Sequence, residues 1–143
     1  MNTDKQNFQQ WLADENCYVF TINGFPFGDF HSERVKEKVY LPDWSDVRCL
    51  EYTRLCSQFL AAIVTGEDEG SISTLPLAYK QAAQSPDFSK RAVDQLMQLA
   101  RDLDRLHHET GKTIRLAIEP EPFCLLETTP ETIQFFEMLW YSA

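Results

Sequence analysis

The sequence predicts an α/β fold with a parallel sheet, and three observations carry that prediction. Strand-like and helix-like segments alternate strictly along the chain. The strand-like segments show a two-residue side-chain period, and the helix-like ones carry apolar stripes with recognisable ends. With 143 residues, no internal repeat and no Gly/Ser linker, the chain is read as a single domain over 1–143.

Residues 6–12 open the chain as a short helix. Cys17-Tyr18-Val19-Phe20-Thr21-Ile22-Asn23, rich in β-branched and aromatic residues and stopped by Gly24, forms the first strand. Residues 24–44 hold two prolines and two glycines with no helical period, and read as a long loop of the kind that carries function or stays disordered. Ser45 caps a helix reaching about Val64, with Tyr52, Leu55, Phe59, Ala62 and Ile63 as its apolar stripe and Gly66 as its end.

Residues 71–77 make the second strand, whose pairing should stop near Pro76, since proline forfeits a ladder hydrogen bond. Ser85-Pro86-Asp87 opens a helix with Ala92, Leu96, Leu99, Leu103 and Leu106 on one face and Gly111 at its exit. The third strand, 113–119, is cut off by Pro120 and Pro122. Thr129-Pro130-Glu131 then supplies a cap, an N1 proline and a first-turn acid for a last helix to about Tyr141.

In the third strand Ile114, Leu116 and Ile118 share one face, while Arg115, Ala117 and Glu119 share the other. The first strand repeats the pattern, with Tyr18, Phe20 and Ile22 opposite Cys17, Val19, Thr21 and Asn23. A doubly wound sheet has apolar residues on both faces. A face that turns small and polar toward the strand ends instead predicts part of a (β/α)8 TIM barrel whose mouth holds a site, with Asn23 and Glu119 atop neighbouring strands. The competing reading makes Arg115 and Glu119 sheet residues facing water. A complete barrel takes about 250 residues and eight strands, so the expectation is a partial barrel of about three parallel strands with alternating helices.

Twenty-two acidic against thirteen basic residues give a formal charge of -9, which repels phosphate backbones and argues against nucleic acid. The N-terminal stretch lacks a basic region and apolar run, so no signal peptide is expected. No apolar run approaches the roughly 20 residues needed to cross a bilayer. Cys17, Cys49, Cys56 and Cys124 show neither zinc nor disulfide spacing and no partner base, and predict reduced thiols in a cytoplasmic protein.

Four segments carry a family resemblance. The strings Asn23-Gly24-Phe25-Pro26-Phe27-Gly28-Asp29-Phe30-His31 and Val35-Lys36-Glu37-Lys38-Val39-Tyr40-Leu41-Pro42-Asp43-Trp44, then Gly70-Ser71-Ile72-Ser73-Thr74-Leu75-Pro76-Leu77 and Glu119-Pro120-Glu121-Pro122 with Cys124-Leu125-Leu126-Glu127-Thr128, together resemble the EboE-like metabolite-traffic proteins. That family is similar to the xylose-isomerase-like sugar phosphate isomerase/epimerase TIM barrels. The resemblance implies a small polyol or sugar-like substrate and a divalent metal (Mn, Mg or Zn) held by two glutamates, an aspartate and a histidine at strand ends, the metal polarising a hydroxy-carbonyl while a carboxylate moves the proton. Glu119 matches the first ligand glutamate and is the expected catalytic and metal residue, provided that later strands or another chain supply the remaining ligands.

Each site residue has a plainer alternative. Glu119 is either a hard oxygen ligand on a rigid strand end or a solvated acid beside two prolines. Glu121 and Glu127 lie in the loop where barrels place substrate contacts, Glu127 being the closer match, yet Glu127 equally suits the N-terminus of the last helix. His31 and Asn23 read as sugar-hydroxyl partners, although a loop histidine is commonly just exposed. Lys36 and Lys38 suit a phosphate or carboxylate, or simply a solvated surface. His107-His108 suits the helix dipole and carries no chemistry. A rival from a different class is a non-catalytic binding or assembly module. Its open sheet edges would make it a homo-oligomer or pair it with a chain that completes the barrel.

Overall fold

The computed structural model describes residues 3–25, 38–65 and 69–142. Helix α1 (Thr3–Asp14) leads into β1 (Thr21–Asn23). A 3-10 turn (Lys38–Tyr40) precedes α2 (Val47–Ile63), and β2 (Glu69–Thr74), α3 (Phe88–Thr110), β3 (Thr113–Ile118) and α4 (Thr129–Tyr141) complete the order. The three strands form one sheet in the order β1-β2-β3, both pairs parallel. The alternation expected from the sequence is thus present as α/β architecture, and each parallel pair is joined by a crossover that contains a helix.

The register aligns Thr21 with Ser71 and Ser71 with Arg115, then Asn23 with Ser73 and Ser73 with Ala117. Side chains alternate across the sheet, so Ile22, Ile72, Thr74, Ile114, Leu116 and Ile118 fall on one face. There they meet Leu12 of α1, Leu60 and Ile63 of α2, and Leu99 and Leu103 of α3. The opposite face presents Thr21, Asn23, Glu69, Ser71, Ser73, Arg115 and Ala117, all exposed or partly so. Among the described residues no helix covers that face. Parallel sheets are almost always covered on both sides, which makes this one-sided layering the feature that most constrains function.

The boundaries of several elements and one helix face differ from the sequence expectation. The first strand is confined to Thr21–Asn23, and Tyr18 and Phe20 stand exposed, their rings in tilted contact with each other. The second strand begins at Glu69 and ends at Thr74, before the proline. The caps of α2 and α4 are Asp46 and Thr128, each one residue from the expected position. Asp46 accepts the Arg48 N–H, and Thr128 forms a reciprocal capping box with Glu131.

The face correction concerns α2. Leu55 and Phe59, expected in the apolar stripe, are exposed, and the buried side carries Cys49, Leu50, Thr53, Ser57, Leu60, Ala61 and Ile63. Thr53 and Ser57 are tolerated inside because each hydroxyl donates to a carbonyl one turn back, at Cys49 and Arg54. Gly66, read as the end of this helix, lies outside the described residues. The helix stops at Ile63, with the Val64 N–H bonded to the Leu60 carbonyl. The exit of α3 is as expected: Gly111 adopts φ 72°, and its N–H bonds to the His107 carbonyl. No helix of the described residues is long and apolar enough to cross a membrane.

Candidate functional site

Ligands of parallel sheets bind at the carboxyl ends of the strands, and the chain builds three layers there. The innermost is the strand ends themselves. Asn23 closes β1, where its Oδ1 accepts from the Ser73 hydroxyl at 2.7 Å and from the Phe25 N–H at 3.3 Å. Gly24 then approaches β2 so closely that its N–H bonds to the Ser73 carbonyl. Beyond β3 the Glu119 N–H bonds to the Thr74 carbonyl, so the sheet continues one residue past Ile118. Glu119 is exposed, and its carboxylate has no hydrogen-bond or ion-pair partner among the described residues.

Asn23 and Glu119 therefore belong to the same end and the same face of the sheet, but not to neighbouring strands as the sequence suggested. β2 runs between them, and its Ser73 is the group that sequence reading missed. Ser71 and Ser73 share strand parity with Asn23 and Glu119 across the register. That two-residue spacing of serines was the available signal.

The second layer is an aromatic and carboxylate cluster. The rings of Phe25, Tyr40 and Tyr79 stack successively at 5.4 and 5.8 Å between centroids. The Tyr40 hydroxyl donates to Glu121 Oε2 at 2.5 Å. Burial, then the bond to Glu121, pushes the Tyr40 phenol well above its ordinary range, so Tyr40 is a neutral donor. Glu121, expected to touch substrate, has one oxygen engaged in positioning Tyr40.

The third layer joins the loops that follow β2 and β3. Lys80 and Leu125 N–H groups bond to the Phe123 and Ala78 carbonyls, around a bridge between Tyr79 and Cys124. Lys80 Nζ reaches Glu127 at 2.5 Å and Glu131 at 3.1 Å. Lys80 holds the Glu127 carboxyl below its ordinary range and, with the Thr128 and Glu127 N–H groups, brings Glu131 to about 2. Glu127 thus sits at the start of α4 as an ion-pair partner of Lys80, a residue 47 positions earlier that no local pattern links to it.

This triad carries a pH prediction. The Glu131 carboxyl is depressed on folding, so its contribution is complete at neutral pH and is lost as the pH falls from about 4.5 toward about 2. The Lys80 ammonium is raised, so its share is lost only above its ordinary 10.5. Glu131→Gln is expected to flatten the fall in Tm between pH 4.5 and 2.5, measured by circular dichroism. An unchanged slope would show that the triad does not set acid stability. The groups are only partly buried and stay in reach of solvent, so the effect should shrink in high salt.

His31 and Lys36 lie outside the described residues, as does the side chain of Lys38. His107 accompanies Thr113 at the amino end of β3, opposite the strand-end cluster, and His108 faces Asp104 on α3. All four cysteines are free. Among the described residues no three His, Cys, Asp or Glu side chains come together as metal ligands. Glu119 alone cannot form a cation site, and the described residues do not by themselves fit the metal that the family resemblance implies.

Chemically, the innermost layer offers a carboxylate with no partner among the described residues, a hydroxyl and an amide on a polar sheet face. Those are hydrogen-bonding groups for a polyhydroxylated ligand. No protein-family model, curated protein or solved structure matches this chain.

Proposed function

We propose that this chain forms part of a xylose-isomerase-like (β/α)8 barrel of the EboE-like metabolite-traffic type, which binds or acts on a small polyol or sugar-like metabolite at the carboxyl ends of its strands. One observation carries the reading. Among the described residues the parallel sheet has its helices on one face only, and the other face bears Asn23, Ser73 and Glu119 at the strand ends. Barrel strands have this asymmetry, with helices outside and the site at the mouth. In that role Glu119 is the hard oxygen ligand and catalytic carboxylate, once further ligands are supplied. Asn23 and Ser73 take substrate hydroxyls.

The test is binding by the full chain. Chemical-shift mapping with millimolar xylitol and D-xylose should perturb Asn23, Ser73 and Glu119, and Glu119→Gln should weaken that binding about tenfold, the usual size of one lost charged hydrogen bond. Perturbations confined to other surfaces would overturn the assignment. Calorimetric titration with Mn(II) should give no micromolar site. Micromolar affinity in a monomer would mean that Glu119 is not one ligand of a set completed from elsewhere.

A second reading, a self-associating assembly module without catalysis, is favoured by the outer edges of β1 and β3, which have no strand partner among the described residues. Unpaired parallel edges with apolar flanks are templates for another chain.

A further inference from the structure

We infer that Phe123 is a specificity-determining contact of the strand-end site, its ring lying against the C–H face of a cyclic sugar, so that the site takes an aldopyranose in preference to an open-chain polyol. This rests on the reading of the strand ends as a polyol or sugar site and narrows its ligand to a ring.

Among the described residues the left-handed backbone region is occupied by Asn16, Leu77, Gly111 and Phe123. Glycine and asparagine enter it readily, and Asn16 and Gly111 precede β1 and β3, at the amino ends of the strands. Leu77 and Phe123, for which the conformation is costly, follow β2 and β3, at the carboxyl ends. The Leu77 side chain is 5% exposed, so packing in the core offsets its cost. Phe123 is 66% exposed, and burial gives it no such return.

Phe123 stands in the turn Glu121-Pro122-Phe123-Cys124, closed by the Cys124 N–H on the Glu121 carbonyl at 3.2 Å. Proline at the second position and φ 67° at the third make it a type II turn, whose third position ordinarily holds glycine or asparagine. The backbone is pinned from both sides. The Phe123 carbonyl accepts from the Lys80 N–H at 2.9 Å, and its N–H donates to the Glu127 carboxylate. Strained residues persist where their surroundings fix them, and they gather at ligand sites. Glycine would close the same turn without strain; phenylalanine adds a ring on the solvent side.

The turn is tied to the polar strand ends. Glu121, which opens it, lies two residues past Glu119 and accepts the Tyr40 hydroxyl. The Tyr40 ring stacks on Phe25 at 5.4 Å, and the Phe25 N–H bonds to Asn23 Oδ1. Asn23, Ser73 and Glu119 address hydroxyls only, and a sugar also has a carbon skeleton to cover. The negative face of an aromatic ring attracts the slightly positive C–H hydrogens. A pyranose chair points its axial hydrogens to one side, whereas an open-chain polyol must first be ordered to do so.

Titration of the full chain with D-xylose and with xylitol, followed by chemical shifts, tests this on the unmodified protein, Phe123→Gly and Phe123→Tyr. The unmodified chain should bind D-xylose more tightly than xylitol. Phe123→Gly should weaken D-xylose binding about tenfold, the size of one lost aromatic contact with its buried area, and leave xylitol binding unchanged. The same variant should raise Tm by about 2–4 °C, because it relieves a left-handed L-residue. Phe123→Tyr, which keeps the ring, should retain the preference for D-xylose. If neither ligand shifts Asn23, Ser73 or Glu119, the strand-end reading falls and the role of Phe123 with it. If those shifts occur but the two ligands bind equally, or Phe123→Gly binds D-xylose as well as the unmodified chain, the role of Phe123 alone is overturned. A lowered Tm in Phe123→Gly would also overturn it, by making the ring a support of the fold.

Discussion

Replacing Trp44 with alanine is expected to lower the unfolding free energy by about 3–5 kcal/mol, the range for truncating a large buried aromatic side chain. That is a large part of the roughly 5–15 kcal/mol that holds a typical domain folded. Trp44 is fully buried, among Leu75, Leu77, Leu96 and Leu99 in the larger apolar cluster. It is also a polar hub. Its Nε1 donates to the Thr74 hydroxyl at 3.0 Å, its N–H to the Leu77 carbonyl, and its own carbonyl accepts from Gln95 Nε2 at 2.7 Å.

Two of those bonds hold the chain where β2 ends. Leu77 has φ 70°, a left-handed conformation that costs a branched L-residue about 1–2 kcal/mol, and the Trp44 N–H fixes its carbonyl. Losing the indole opens a cavity beside that strained residue and removes the Thr74 donor. Trp44→Phe separates the two effects. It keeps a ring and leaves the Thr74 hydroxyl without its donor, so its cost should be about 1–3 kcal/mol. Urea denaturation of the three proteins checks the order. If Trp44→Ala lost less than 1 kcal/mol, the strand-end loops would be held by something other than this indole.

The parts of the fold that were legible from sequence are those ruled by a local period. Ile114, Leu116 and Ile118 face the helices because side chains alternate along a strand, and no other element can change that parity. Gly111 ends α3 because glycine is cheap at positive φ. Where two faces of a helix are both partly apolar, local pattern fails. Helix α2 offered Tyr52, Leu55 and Phe59, but its buried side carries Cys49, Thr53, Ser57 and Leu60. The polar residues among them were free to enter because their hydroxyls bond within the helix.

The same distinction divides the candidate site. Glu119 and Asn23 were legible as strand-end residues. Their separation by β2 was not, because strand order is decided by which crossovers pack together. The engagement of Glu121 by Tyr40 and of Glu127 by Lys80 depends on contacts 81 and 47 residues apart. Composition and spacing hold no record of such pairs, so two acids that read as substrate contacts, Glu127 the closer match, prove to have structural partners.

Gly24→Ala should disconnect the site while leaving most of the core intact. A Cβ at this position would stand 2.6 Å from the Ser73 carbonyl oxygen and 2.9 Å from Ile72 Cγ2. The nearer atom is backbone in the central strand, so it cannot step aside, and the end of β1 must move away from β2. That movement breaks the Gly24–Ser73 bond and pulls Asn23 from the Ser73 hydroxyl. The expected cost is about 1–3 kcal/mol, as for other overpacked positions, together with faster amide exchange at Gly24 and loss of polyol-induced shifts at Asn23 and Ser73. Gly111→Ala is the control: its added Cβ meets nothing within 4 Å, and the cost is that of the left-handed backbone alone, about 1 kcal/mol. A Gly24→Ala protein with unchanged exchange at residue 24 would mean that β1 can part from β2 without disturbing their shared hydrogen bonds, and the rigid strand-end geometry assigned to Asn23 would fall with it.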